Sequence, residues 1–245
     1  MTEQSLCACF LPCRLLAAIA AFLSVGLLAA AEVEKPKPLR YLRPEKNKFV
    51  LESEITETRN QDGAIYVSLT DRGREKMTLT LRFDNDRHLK SAEAVQEAGE
   101  SKHRALLTLK GTNAKLSKIK GIVEFQVAAD PIVTTAPDWS DIFQLVRRYD
   151  GKKGGKQEFT GLWIHPMRDH LILKFRIEHI GGTAVRAAGR KIALDQYRIR
   201  LRSGDYLTWA DADGRVYKLF PAGQPKAVVV LEGFEEATAK LGLQE

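Results

Sequence analysis

Two stretches of this sequence carry side chains whose types and spacing could do chemistry. In His165-Pro166-Met167-Arg168-Asp169-His170, two imidazoles bracket four residues. If those four close a hairpin, His165 and His170 face each other across the strands, on one face. Such a pair could hold zinc or copper, with Asp169 or Met167 as a third ligand. A metal needs three or four ligands, so a polar hairpin end explains the residues with fewer assumptions. His179 stands an odd number of residues from His170, which puts it on the opposite face of a regular strand.

The second stretch is basic. Arg198, Arg200 and Arg202 alternate with Tyr197, Ile199 and Leu201. On a strand the three arginines share one face and the apolar residues pack beneath. Like charges at that spacing repel unless an anion or neighbouring carboxylates intervene. The arginines are therefore candidates to bind an anionic ligand, against the default of a solvated sheet face. Arg147, Arg148, Lys152, Lys153 and Lys156 gather round a second basic loop.

Three other clusters are weaker. Asp138-Trp139-Ser140-Asp141 offers a serine and carboxylates but no histidine base in reach of the sequence, and helix N-capping by Asp138 or Ser140 accounts for it. Asp211-Ala212-Asp213-Gly214 has part of a calcium loop, yet Arg215, Val216, Tyr217 and Lys218 supply no further ligands, so a plain turn is expected. Gly151 to Lys156 (GKKGGK) lacks the order of a phosphate loop and its terminal Ser or Thr. Nothing in the chain calls for a cofactor.

The elements that must position these residues alternate with period two. Phe49, Leu51 and Ile55, then Ile65, Val67 and Leu69, then Met77, Leu79, Leu81 and Phe83 recur between polar residues. Each run predicts a half-buried strand. Asn60 to Gly63, Asp71 to Gly73 and Asp84 to Asp86 predict turns between them. Ala105 to Lys110 and Ile122 to Val127 continue the pattern. Pro137 to Tyr149 breaks it, with an apolar stripe Ile142, Phe143, Leu145, Val146 and two arginines in the last turn, which predicts a helix over 138–149. Strands resume at Phe159 to His165, Leu171 to Ile177, Tyr197 to Leu201, Tyr206 to Ala210, Val216 to Phe220 and Lys226 to Leu231, and Phe234 to Leu241 predicts a short closing helix. The expectation is a mainly β chain of about ten to twelve strands in an antiparallel meander. Wholly parallel sheet is excluded, since no helices alternate with the strands.

From Leu194 to Val230, a basic strand is followed by the segment YLTWADADGRVYKL and a final valine strand. This resembles the C-terminal part of uncharacterised bacterial periplasmic proteins similar to the lipoprotein-carrier group. The resemblance implies a strongly curved antiparallel sheet, or half-open barrel, folded round one central helix, with a short C-terminal helix. It also implies shelter for a lipid-like ligand in the concavity, where Trp163, Phe175 and Trp209 could supply an apolar lining. It carries no catalytic residues.

The whole chain bounds these readings. Its 245 residues, 44% hydrophobic and 28% charged, exclude a multi-pass membrane protein, a collagen-like fibre and a wholly disordered chain. Leu15 to Ala31 is an uncharged apolar run ending in three alanines, which predicts a signal peptide over 1–31, or alternatively a retained anchor. All three cysteines precede that run, so the mature chain from Glu32 has no thiol. Arg14 and Glu3 cancel, so its net charge stays +7. Residues 32–47, with three prolines, predict an extended linker, and 48–245 a single β-rich domain: an N-terminal half over 48–136, the helix, and a C-terminal sheet over 156–245. For an exported basic chain the partners at hand are anionic lipid and envelope polysaccharide rather than nucleic acid. The leading expectation is an exported, non-enzymatic envelope protein of the periplasm that binds an apolar or anionic ligand, with no membrane span once the signal is cleaved. The alternatives are a cell-wall hydrolase using His165 and His170 with a carboxylate, and an interaction module with no small ligand.

Overall fold

The structure is a computed structural model that describes residues 36–71, 73, 75–135 and 139–242. The expected signal peptide and Asp138 lie outside them. Among the described residues nine strands precede the helix: β1 (Leu39–Glu45), β2 (Lys48–Asn60), β3 (Gly63–Asp71), β4 (Glu75–Phe83), β5 (Leu89–Ala98), β6 (Ser101–Lys110), β7 (Asn113–Lys118), β8 (Gly121–Gln126) and β9 (Ile132–Thr134). After α1 (Ser140–Arg148) come β10 (Lys156–Trp163), β11 (Leu171–Ala187), β12 (Arg190–Leu201), β13 (Gly204–Ala210), β14 (Val216–Pro221) and β15 (Val229–Leu231).

These strands form one long open sheet in the order β8-β7-β6-β5-β4-β3-β2-β1-β15-β14-β13-β12-β11-β10-β9. Every pairing is antiparallel except that of β9 with β10. The meander before the helix and the one after it are joined where β15 pairs with β1, through Tyr41 opposite Leu231 and Leu42 opposite Val230. Strand β4 follows the predicted alternation, with Met77, Leu79 and Leu81 buried, whereas in β3 the parity is the reverse of the expectation: Tyr66, Ser68 and Thr70 are buried and Ile65, Val67 and Leu69 only half-buried, and in β2 Ile55 is buried but Phe49 is exposed.

Five further expectations are corrected. The segment read as a linker contains β1, near the middle of the sheet, because prolines at its ends suit extended backbone and Tyr41 is buried while Arg40 and Arg43 reach carboxylates of β2. The strands outnumber the ten to twelve expected. Strand β5 was missed because its buried side chains, Ala92 and Ala94, are small, and Ser-Ala-Glu-Ala-Val-Gln-Glu-Ala reads as helix-forming. The helix begins at Ser140 with Trp139 at its N-cap and no side-chain cap, so Ser140 is not the capping residue; Asp141 Oδ1 accepts from the Ile142 amide at 2.8 Å. The closing segment is a series of turns rather than a helix. Lys218 Nζ donates to the carbonyls of Thr238 at 2.8 Å and Leu241 at 2.7 Å, which holds those carbonyls toward β14.

A nine-residue helix is too short to be stable alone. Seven of its residues, Ser140 to Val146, are buried. Gln144 does more than pack. Its Oε1 accepts from the Val133 amide at 3.2 Å and its Nε2 donates to the Val133 carbonyl at 2.7 Å. One side-chain amide thus takes the place of a neighbouring strand at the β9 edge, where an open ladder would invite mispairing. At the other end of the sheet β8 is exposed at nearly every residue. No helix among the described residues is long and apolar enough to cross a membrane.

Candidate functional site

The basic strand is β12. Tyr197, Ile199 and Leu201 are buried while Arg198, Arg200 and Arg202 are exposed, as the alternation requires. The register builds two rows across the sheet. In one, Glu158 of β10, Arg176 of β11, Arg200 of β12 and Asp205 of β13 lie side by side. In the next, Lys156, Glu178, Arg198 and Leu207 do the same.

Carboxylates intervene in these rows. Arg176 Nε lies 2.5 Å from Glu158 Oε1. Arg200 donates twice to Asp205, at 2.6 and 2.9 Å, and this holds the Asp205 carboxyl below the usual carboxylate range. Lys156 Nζ stands 3.9 Å from Glu178. Arg198, opposite Glu178 by register, has no carboxylate within 4.0 Å among the described residues. The rows line a shallow depression of about 150 Å³ bounded by Lys156, Arg176, Glu178, Arg198, Arg200 and Asp205. What the arrangement can do is hold an anion against cations already oriented by their carboxylate neighbours.

The three aromatics expected to line one concavity are separated. Register places Phe175 on the face of Phe159, Ile177 and Ile199, and Trp163 lies on that same face of β10. Trp209 shares the opposite face with Leu207 and Phe220, because it is three residues from Tyr206, which faces Ile199. Both Phe175 and Trp209 are fully buried; a Cβ at Gly242 would strike Trp209 and Phe220, so the closing segment lies directly on them.

The two histidines do not face each other across a hairpin. Trp163 pairs with Leu171, so the loop runs from Ile164 to His170 and contains both rings. His165 is buried, stacks on Trp163, and its Nδ1 accepts from the Met167 amide at 3.1 Å. His170 stacks on Phe125 of β8 with ring centroids 3.9 Å apart. Burial lowers the pKa of both, and Arg168 and Lys118 lower that of His165 further. Asp169 is turned toward Lys118, 3.4 Å away. Among the described residues, the one group of three potential metal ligands is Asp84, Asp86 and His88, and its Asp84 is already engaged by Lys90 at 2.8 Å. Asp211 closes the expected turn, accepting from the amides of Asp213 and Arg215 and from the Tyr217 hydroxyl.

One pair was missed. His179 Nε2 lies 3.1 Å from Asp195 Oδ1, beside the rings of Tyr149 and Tyr197. A bulge between His179 and Gly181 shifts the register and brings Asp195 within reach. The flanking glycines Gly181 and Gly182 were the available signal.

No protein-family model matches the chain, and no curated protein matches it. Two solved structures are similar in fold. One is a DUF1089 family protein from Pseudomonas aeruginosa, 18% identical, with a TM-score of 0.44, over 71% of this chain and 89% of that one. The other is a beta-barrel-like protein of the domain of unknown function DUF1849 from Brucella abortus, 10% identical, with a TM-score of 0.49, over 81% of this chain and 96% of that one.

Proposed function

We propose that this is an exported binding protein without catalytic chemistry of its own, whose ligand is anionic and lies along the charged rows of β10 to β13. The observation that carries the reading is Arg198, an exposed cation without a carboxylate partner among the described residues, in the row next to the facing pair Arg176 and Arg200. Those two guanidiniums are held by Glu158 and Asp205, so an arriving anion meets groups that need little ordering.

In this reading the sheet is rolled round α1. Phe143 meets Tyr41 of β1, Arg147 reaches Glu57 of β2 and lies over Tyr66 of β3, Trp139 meets Tyr206 of β13, and Gln144 holds β9. Strands β3 and β9 are nine steps apart in the sheet order, about 43 Å if the sheet were flat. A nine-residue helix is about 13 Å long and can touch both only if the sheet curves. The core side chains then fill the concavity, which leaves the outer face for the ligand.

The test uses soluble ligands, an acidic glycan and a short-chain phosphatidylglycerol. Replacing Arg198, Arg200 and Arg202 together by Gln is expected to weaken binding, with a loss that shrinks as salt rises. The melting temperature should stay near that of the parent, since the packed face is untouched. Equal binding by parent and variant at low salt removes the reading. Amino-terminal sequencing of protein from the cell envelope tests export, with Glu32 as the expected first residue.

A further inference from the structure

A second surface lies away from the charged rows. Among the described residues eight large hydrophobic side chains are exposed, and six of them fall in two short segments: Ile119, Ile122 and Val123, and Met167, Leu171 and Ile172. Scattered apolar residues are ordinary on a protein surface, whereas a cluster marks a contact surface.

The segments are adjacent in space although far apart in sequence. Lys118 Nζ donates to the Arg168 carbonyl at 3.0 Å, which sets the β7–β8 turn beside the 164–170 loop. Phe125 stacks on His170, which sets the far end of β8 beside the start of β11. The apolar residues therefore sit on the tips and margins of two abutting loops. Ile119 is 65% exposed, Ile122 61% and Ile172 54%.

Charge decides what covers them. Lys115 is paired with Glu124 at 3.5 Å and Lys118 with Asp169 at 3.4 Å. Lys120 and Arg168, both exposed, have no carboxylate within 4.0 Å among the described residues, so the surface carries surplus positive charge. A second copy of the chain would bring the same charge against it. An anionic bilayer offers the complement: apolar side chains enter the headgroup boundary and the cations meet lipid phosphates.

We propose that this surface docks on an anionic phospholipid bilayer, with Ile119, Ile122 and Ile172 inserted shallowly and Lys120 and Arg168 at the headgroups. The docking does not rest on the charged rows of β12.

Co-sedimentation with vesicles of phosphatidylcholine, with and without phosphatidylglycerol, tests it. Every form compared carries the same amino-terminal segment, so differences between them report this surface. The parent is expected to bind the anionic vesicles more tightly than the neutral ones. Combining Ile119→Ser, Ile122→Ser and Ile172→Ser should weaken binding at least about tenfold. Lys120→Glu with Arg168→Glu, which leaves all packed residues in place, should remove the preference for anionic lipid. The isoleucine variant should still bind the soluble acidic glycan as the parent does, which separates this surface from the charged rows. If both variants sediment with anionic vesicles as the parent does, the proposal fails. It also fails if the parent forms a concentration-dependent dimer that the isoleucine variant abolishes, since the occupant is then a second copy.

Discussion

The ring of His165 is buried, accepts from the Met167 amide, and stands among the positive charges of Arg168 and Lys118. Each of these opposes its protonation, so its pKa lies below the ordinary 6.5. The sign follows from linkage. In the unfolded chain the ring binds a proton near pH 6.5, and in the folded chain only at lower pH. The stabilisation is therefore complete above about 6.5 and is lost as pH falls through the folded value. Thermal melts of the parent should show Tm falling between about pH 7 and pH 5, and His165→Gln should flatten that fall. A fall of equal size in the variant assigns the acid sensitivity to other groups.

At the scale of elements, the two ends of the sheet are treated differently. The β9 edge is occupied by the Gln144 amide, a polar side chain buried among Val133, Ile142 and Leu145. Gln144→Leu keeps the volume and leaves a buried amide and a buried carbonyl of Val133 unpaired. We expect a loss of about 2–4 kcal/mol in urea denaturation, from two orphaned groups. Gln144→Glu restores an acceptor for the Val133 amide but not a donor for its carbonyl, and should not recover stability. The same alternation that buries Ile177 leaves Lys174 in water. Ile177→Asp should therefore cost several kcal/mol by burying an unpaired carboxylate, while Lys174→Asp changes the melting temperature little. Leu173, only half-buried at the margin of the core, should give an intermediate loss as Asp.

Across the whole molecule, pairing of β15 with β1 makes one sheet of two meanders. Tyr41 belongs to this junction, with its ring against Phe143 and its hydroxyl donating to the Val216 carbonyl at 3.2 Å. All three tryptophans, Trp139, Trp163 and Trp209, follow β9, so fluorescence reports the second meander and far-ultraviolet circular dichroism reports both. If the junction couples them, the two signals should follow one denaturation curve. Fluorescence change that precedes loss of dichroism would show that the second meander unfolds independently.

The sequence alone determined the mainly β class, the position of the helix, and which residues of β4, β6 and β12 face inward. These are local properties: period two in Met77 to Phe83 or Tyr197 to Arg202 needs no knowledge of neighbours. It also placed Arg198 and Arg200 on one exposed face. Tertiary structure decided what lies next to that face. Glu158 and Asp205 come from different strands, and only the register sets them beside Arg176 and Arg200. The same holds for the histidines, where the loop is seven residues long instead of the expected four and sends His165 to Trp163 and His170 to Phe125. Bulges are equally hidden: a single extra residue at Ile180 shifts the register beyond His179 and brings Asp195 within its reach, which no spacing in the sequence records. Strand pairing, bulges and loop contacts depend on residues distant in sequence, and a pattern of alternation carries no record of its partner.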